Sequence, residues 1–223
     1  MVRKILRTFL LIILFVVGIV CVFFGIQYFL VSPTSPFDSE PLYEARTDLD
    51  NIKPTDIEVE TYMVAPDKPR YMIINKISVY GARVVEVGMD GQENRLGDPA
   101  NVHDVGWFNQ SAKPGAPGSK QTAGLYDGHN TGAYSRGVFY RLSELASGDT
   151  IIIERGDGKR LTYEVRESSL VKLEEVDMAK MMETAVEGVE GLNIISCGGE
   201  WDRTAGTYTH RVLIRAVLAS SGR

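Results

Sequence analysis

The sequence has few cysteines, few histidines and no excess of positive charge. Among 223 residues there are two cysteines and three histidines. So few cysteines cannot form the disulfide framework of a small secreted scaffold, and so few sulfur and imidazole ligands disfavour a structural zinc module. The 24 Lys and Arg residues stand against 29 Asp and Glu residues, a formal net charge of −5. A nucleic-acid partner is therefore not expected, because neutralising phosphates requires a basic surface.

The remaining composition is that of a folded chain, but its apolar residues are unevenly spread. Hydrophobic residues make up 44% and charged residues 24%, which excludes a disordered chain. Residues 8–37 contain no charged side chain, and residues 9–31 are almost wholly apolar apart from Gln27. As a helix this stretch would be about 34 Å long, whereas the hydrocarbon core of a membrane is about 30 Å thick. It predicts a membrane-spanning helix.

The residues at the two ends of the apolar stretch predict whether it is cleaved and in which direction it crosses the membrane. Bulky Tyr28, Phe29 and Leu30 stand where a signal peptidase needs small residues, so an uncleaved anchor is expected. Three basic residues precede the stretch: Arg3, Lys4 and Arg7. The positive-inside rule places this end in the cytoplasm and the rest of the chain outside the cell. The predicted location is the cell membrane, crossed once.

Three regions are expected along the chain. Residues 1–31 form the cytoplasmic tip and membrane anchor. Residues 32–69 hold six of the nine prolines and predict an extracellular stalk. Residues 70–223 are the expected folded domain, because short apolar runs alternate there with turn signals. The predicted strands cover 71–77, 84–87, 122–126, 138–142, 150–154, 161–167, 192–196 and 211–218. About eight strands and little helix, apart from a predicted helix at 176–185, predict an all-β barrel or sandwich.

A thiol and an imidazole follow two of these strands. Cys197 ends the run 192–196 and precedes two glycines, and it is the only cysteine outside the apolar stretch, which holds Cys21. His129 follows the run 122–126. A thiol acts as a nucleophile at neutral pH when a base or an imidazolium stands beside it. From spacing alone, an inert buried cysteine is an equally good reading of Cys197.

A cationic side chain beside such a thiol would stabilise the oxyanion of acyl transfer. Arg211 begins the last predicted strand and is the first candidate, with a surface ion pair as its alternative role. Arg203 competes with it, as does Arg215, which faces the same side about 13 Å further along the strand. His210 is a second candidate base, whereas His103 stands in a predicted loop and is expected at the surface.

Several segments together resemble the sortase family. They are Tyr-Asp-Gly-His-Asn-Thr-Gly at 126–132, Val-Phe-Tyr-Arg-Leu at 138–142 with Ser-Gly-Asp at 147–149, Ile-Ile-Ser-Cys-Gly-Gly at 194–199 and Arg-Val-Leu-Ile at 211–214. Upstream, Gly-Trp-Phe at 106–108 and Pro-Gly-Ala-Pro-Gly at 114–118 are similar to the region before the family's histidine. The similarity runs from about residue 70 to 219, in the family's order.

The resemblance implies a closed eight-stranded β-barrel with short helices, following one transmembrane helix, and a cysteine transpeptidase activity. It assigns Cys197 as nucleophile, His129 as general acid/base and Arg211 as stabiliser of the oxyanion or the substrate. Such enzymes cleave a Leu-Pro-X-Thr-Gly-like sorting signal of surface proteins between Thr and Gly. They transfer the thioacyl intermediate to an amine of a peptidoglycan precursor or another protein. Ser196 stands where the family usually has Thr, and this change keeps the hydroxyl.

Two other functions fit parts of the sequence. One is an L,D-transpeptidase, which needs a Ser-His-Gly-Cys-like run that the sequence lacks around Cys197. The other is a membrane-tethered barrel without activity that binds a wall component. No cofactor is expected. A Ca²⁺ ion at Glu174, Glu175 and Asp177 is unsupported, because three carboxylates fall short of the six to eight oxygens that Ca²⁺ takes.

Overall fold

The structure is a computed structural model that describes residues 52–90, 95–116 and 122–219. The predicted anchor at 9–31 and most of the predicted stalk at 32–69 lie outside the described residues. Within the described ranges, no helix has the length and apolar character needed to cross a membrane.

Ten strands account for most of the described chain. They are β1 (Pro69–Ile74), β2 (Val79–Val87), β3 (Met89–Asp90), β4 (Arg95–Leu96), β5 (Val105–Phe108), β6 (Ala123–Asp127), β7 (Thr150–Arg155), β8 (Arg160–Lys172), β9 (Gly191–Asp202) and β10 (Thr207–Leu218). Eight of them close a barrel in the order β1-β2-β5-β6-β9-β10-β8-β7, while β3 and β4 pair separately. The predicted closed eight-stranded, all-β barrel is confirmed.

Helices are few and short. The α-helices are α1 (Asp56–Glu60) and α2 (Met178–Met181), and the 3₁₀ helices are Asn75–Ile77, Leu142–Glu144 and Leu173–Glu175. Helix α1 begins with a capping box, in which Thr55 and Glu58 each accept a hydrogen bond from the other's backbone N–H. The chain after α1 is bound to the barrel, since the Tyr62 hydroxyl donates to the Val84 carbonyl at 2.7 Å.

Three predicted elements differ from the structure, and the first is the strand predicted at 71–77, whose last three residues form a 3₁₀ helix. The run 138–142 forms turns and part of a 3₁₀ helix instead of a strand, and it buries Phe139 and Leu142 in the barrel core. The spacing of three residues between them suits a helical turn and not a strand. The predicted helix 176–185 is reduced to α2, and 105–108, which was not predicted as a strand, forms β5.

Two apolar clusters stabilise the domain, one inside the barrel and one between the barrel and the segment around α2. The larger fills the barrel interior and includes Trp107, Tyr126 and Phe139. The smaller lies on the outer face and is formed by Phe108, Leu125 and Met181, with Leu96, Met182, Ile195 and Leu213 packed against it. Met181 is only 1% exposed, so it packs as core filler. The smaller cluster thereby holds the segment around α2 against the outer faces of β6, β9 and β10.

Candidate active site

The pairing of three neighbouring strands brings the predicted site residues together. Strand β6 runs parallel to β9, with Asp127 opposite Ile195. Continuing that register by two residues puts His129 beside Cys197. Strand β10 runs antiparallel to β9, with Arg211 directly opposite Cys197. Because side chains alternate between the faces of a strand, Asp127, Cys197 and Arg211 all lie on the outer face of the barrel.

Side chains extend the contact between β6 and β9 beyond the backbone ladder. The Ser196 hydroxyl donates to the Gly128 carbonyl at 2.8 Å. The Asn130 amide donates to the carbonyl of Cys197 at 2.9 Å. These two bonds fix the relative position of the histidine and cysteine segments. The Ser196 hydroxyl therefore performs a structural task that a threonine could also perform.

The Cys197 thiol lies in a partly enclosed and electrostatically mixed environment. Burial raises the pKa of the thiol. The positive charge of Arg211 opposes this effect, and the carboxyls of Asp98 and Asp127 raise the pKa further. The resting side chain is therefore a neutral thiol, and forming the thiolate requires a partner that takes its proton.

The imidazole of His129 is oriented by the backbone of residues 97–104, which we call the β4–β5 segment. Its Nε2 lies 2.9 Å from the Pro99 carbonyl oxygen. A carbonyl can only accept a hydrogen bond, so Nε2 carries a proton. Nδ1 is then the nitrogen available for proton exchange. Gly137 packs against the His129 carbonyl so closely that a Cβ there would lie 2.1 Å from the oxygen.

The β4–β5 segment is itself bound to the barrel. The Gly97 N–H donates to the Gly88 carbonyl at 2.8 Å. At the other end Arg83 donates twice to Asp104, at 2.9 and 2.8 Å, and this carboxylate is only 4% exposed. Because the guanidinium and the carboxylate form two parallel hydrogen bonds and the carboxylate is nearly buried, this contact restrains the segment more strongly than a surface ion pair would. The carbonyl that orients His129 is thus carried by a segment restrained on both sides.

The Arg211 guanidinium is bound to main-chain and hydroxyl oxygens. Its Nη1 donates to the carbonyls of Tyr208 and His210 at 3.0 and 2.8 Å, and its Nη2 donates to the Thr207 hydroxyl at 3.3 Å. The alternative of an ion pair is not found among the described residues. Three of the five guanidinium protons are used, which leaves Nε–H and one Nη2–H for a substrate oxygen.

The competing arginines have other positions. Arg215 is 8% exposed, and its Nη1 donates to Glu167 at 3.0 and 3.1 Å while Nη2 donates to the Thr184 carbonyl at 3.0 Å. It binds β8 and the segment after α2 to β10. Arg203 is exposed in the turn between β9 and β10. Neither stands opposite Cys197.

The two other histidines are separate from the cysteine. His210 is paired with Gly198, one residue beyond Cys197, and its Nδ1 lies 2.8 Å from the Thr209 hydroxyl. His103 lies in the β4–β5 segment and is partly buried, not fully exposed as the sequence predicted.

Within the described ranges, no group of three or more His, Cys, Asp or Glu side chains is arranged so that it could hold a metal ion. Of the three acidic residues considered for Ca²⁺, Asp177 caps α2 by accepting from the Lys180 N–H at 3.0 Å. Glu174 and Glu175 are exposed.

A pair of carboxyls near Cys197 was missed by the sequence reasoning. Asp127 is 4% exposed, and neither of its oxygens has a hydrogen-bond partner among the described residues. Burial, assisted by the negative charge of Asp98, raises the pKa of Asp127 to about 8. The available signal was a charged residue in the otherwise uncharged strand β6.

The Asp127 carboxyl lies over the backbone of Gly106, its partner on β5. A Cβ at Gly106 would come within 2.0 Å of Oδ1. A side chain at this position would therefore displace the carboxyl, so the glycine is needed for the observed placement.

The raised pKa of Asp127 predicts a pH-dependent stability. Between about pH 4 and pH 8 the native state holds a proton that the unfolded state has released. The free energy of unfolding should therefore fall as pH rises, by up to about 1.4 kcal/mol per pH unit from this group. Asp127→Asn should remove this contribution. Chemical denaturation of both proteins should show a difference that grows from pH 4 to pH 8 in favour of the variant. A constant difference across this range would contradict the assignment.

Solved structures with a similar fold come from three genera of bacteria. Sortase C-1 from Actinomyces oris is 21% identical, with a TM-score of 0.51 over 83% of this chain and 85% of that one. A sortase A lid mutant from Corynebacterium diphtheriae is 20% identical, with a TM-score of 0.51 over 85% of each chain. Sortase C1 from Streptococcus agalactiae is 19% identical, with a TM-score of 0.52 over 86% of this chain and 95% of that one. At these identities the similarity shows the fold alone.

The family assignment comes from the sequence. No curated protein sequence matches the chain. The family model described as the sortase domain matches residues 72–219. This match covers more than half of the chain and includes seven of the eight barrel strands in full, the second half of β1, and the histidine, cysteine and arginine described above. The chain therefore belongs to the sortase family.

Proposed function

We propose that this sortase cleaves a Leu-Pro-X-Thr-Gly-like sorting signal through a thioacyl intermediate on Cys197 and transfers the acyl group to an amine. The family supports a cysteine transpeptidase in general. The observation that carries the finer proposal is the strand register, with Arg211 opposite Cys197 and the end of the histidine strand beside it. An L,D-transpeptidase does not fit this family.

In the first half of the reaction Cys197 must become a thiolate. Its raised pKa keeps the proton on sulfur at rest, so proton transfer to His129 Nδ1 forms the reactive thiolate–imidazolium pair. The thiolate attacks the Thr carbonyl carbon of the signal, and the carbonyl oxygen gains negative charge. Arg211 supplies the adjacent positive charge through the two N–H groups that the protein does not use. His129 then protonates the leaving Gly amine.

In the second half an amine replaces that leaving group. The incoming nitrogen attacks the thioester carbonyl and passes a proton to His129. The C–S bond breaks, and Cys197 leaves as a thiolate. The same imidazole thus acts as acid and then as base, as transpeptidation in two equivalent steps requires.

We place the catalytic domain outside the cell, anchored by residues 9–31. The charge-free apolar stretch and the three basic residues before it support this topology. Surface proteins that carry sorting signals are the proposed donors. A peptidoglycan precursor or another protein is the proposed acceptor.

The proposed chemistry predicts cleavage that depends on Cys197. The full chain in detergent, incubated with a library of sorting-signal peptides, should cleave between Thr and Gly as read by mass spectrometry. Cys197→Ala should abolish cleavage, and Cys197→Ser should also fail because a hydroxyl is far less acidic than a thiol. Both variants should keep the circular dichroism spectrum of the barrel. Turnover that survives in Cys197→Ala would refute the nucleophile, and a folded wild-type chain that cleaves no peptide of the library would favour the barrel without activity.

The arginine assignment predicts a clear order among three variants. Arg211→Ala should lose about 10²–10³-fold in kcat/KM with little change in stability, because an oxyanion donor is removed. Arg211→Lys should recover part of the rate, since an ammonium lacks the planar fork of donors. Arg215→Ala is the matched control on the same strand. It should lower the stability through loss of the bonds to Glu167 and Thr184, and change kcat/KM far less. A normal rate in Arg211→Ala would contradict the role.

The topology predicts that protease reaches the domain from outside. On intact cells stripped of wall, added protease should digest residues 70–223, while a cytoplasmic marker protein stays intact. Protection of the whole domain would refute the extracellular placement.

A further inference from the structure

One carboxyl pair beside the nucleophile has no task in the mechanism above. Asp127 is buried with both oxygens unpartnered among the described residues, and Asp98 is near enough for its charge to act on it. A buried carboxylate is costly unless a proton or a cation compensates its charge. The negative charge of Asp98 acts on the same carboxyl, so the pair favours positive charge beside it.

The described part of the chain supplies no cation to this pair. No ion pair to either carboxyl occurs there. Arg211, the basic residue opposite Cys197, gives its hydrogen bonds to the carbonyls of Tyr208 and His210 and to Thr207. The imidazole of His129 donates to Pro99. No cationic side chain among the described residues therefore compensates the pair, which leaves this task to a proton or to a positive group from outside.

The position of the pair fits access to the acyl-enzyme. Asp127 shares the outer face of the sheet with Cys197, one strand away. Both carboxyls are close enough for their charges to act on the Cys197 thiol. The side chain of Asp98 is exposed, whereas Asp127 lies beneath. A cation arriving from solvent would meet Asp98 first and Asp127 second, next to the thioester.

One substrate of transpeptidation, the acceptor, carries a positive charge. The acceptor is an amine, and a primary amine is an ammonium at neutral pH. We propose that Asp98 and Asp127 form the subsite that binds the ammonium group of the acceptor, either a lysine side chain or an amino terminus. This inference rests on the proposed function and assigns two residues to its second half.

The bound ammonium must lose a proton before it can attack. Asp127 gives its resting proton to water as the ammonium binds. The carboxylate so formed then accepts one proton from the ammonium, which leaves a neutral amine and returns Asp127 to its protonated state. The amine nitrogen forms the C–N bond with the thioester carbonyl and gives its next proton to His129. The C–S bond breaks, and its electron pair returns to Cys197 as thiolate. The raised pKa of Asp127 makes its carboxylate a stronger base than an ordinary aspartate, as this step requires.

Competing acceptors of different charge provide the test. The full chain is supplied with an intact donor peptide, namely the library peptide that it was found to cleave. The acceptor is Nα-acetyl-lysine amide, triglycine amide or hydroxylamine. Hydroxylamine is uncharged at neutral pH and does not need a carboxylate partner. In Asp127→Asn and in Asp98→Asn, the ratio of kcat/KM for an ammonium acceptor to that for hydroxylamine should fall at least about tenfold, as for loss of a charged hydrogen bond. The amine with the larger loss identifies the source of the ammonium.

A matched control comes from another buried carboxyl. Glu190 is 6% exposed, lies at the opposite end of β9, and accepts hydrogen bonds from the Tyr163 hydroxyl and the Gly115 N–H. Glu190→Gln should keep the acceptor ratio of the wild type. An unchanged ratio in both aspartate variants, with donor cleavage intact, would overturn the subsite alone. A wild-type chain that cleaves no donor would overturn the proposed function, and the subsite with it.

Discussion

The active-site arrangement depends on one pairing, the parallel contact between β6 and β9. Parallel neighbours end at the same edge of a sheet, so residues that follow them in register meet without any dedicated loop. Here the pairing runs from Ala123–Gly191 to Asp127–Ile195. Strand β10 then joins β9 in antiparallel register and adds an arginine at the same level. A slip of one residue in either pairing would turn a functional side chain into the barrel interior.

The candidate catalytic residues could be predicted from the sequence because each is marked by the residues next to it along the chain. Cys197 and His129 follow apolar runs and stand next to glycines, and Arg211 begins another apolar run. These runs were predicted as strands because they are short, apolar and bounded by turn residues. The structure adds distances and partners to residues that motif similarity had already singled out, and their catalytic roles stay predictions.

Other features required the tertiary structure. Strand β5 is buried on both faces, so it shows no alternation, and a glycine further weakens its strand signal. A five-residue apolar run such as 138–142 fits a strand or a helical turn equally well, and packing into the core decides between them. Asp98 and Asp127 are 29 residues apart in the sequence, and only the folded chain brings them near enough for the charge of one to act on the other.

The hydrogen bond between His129 and the Pro99 carbonyl has a consequence for how this enzyme can be altered. The acceptor is a main-chain atom, so replacing any single side chain in the segment leaves it chemically present. A conventional alanine scan cannot remove the group that orients the imidazole, and it reaches that group only indirectly, through the Arg83–Asp104 pair that restrains the segment. Changes in the length of the segment would move the carbonyl directly, since they shift the backbone itself.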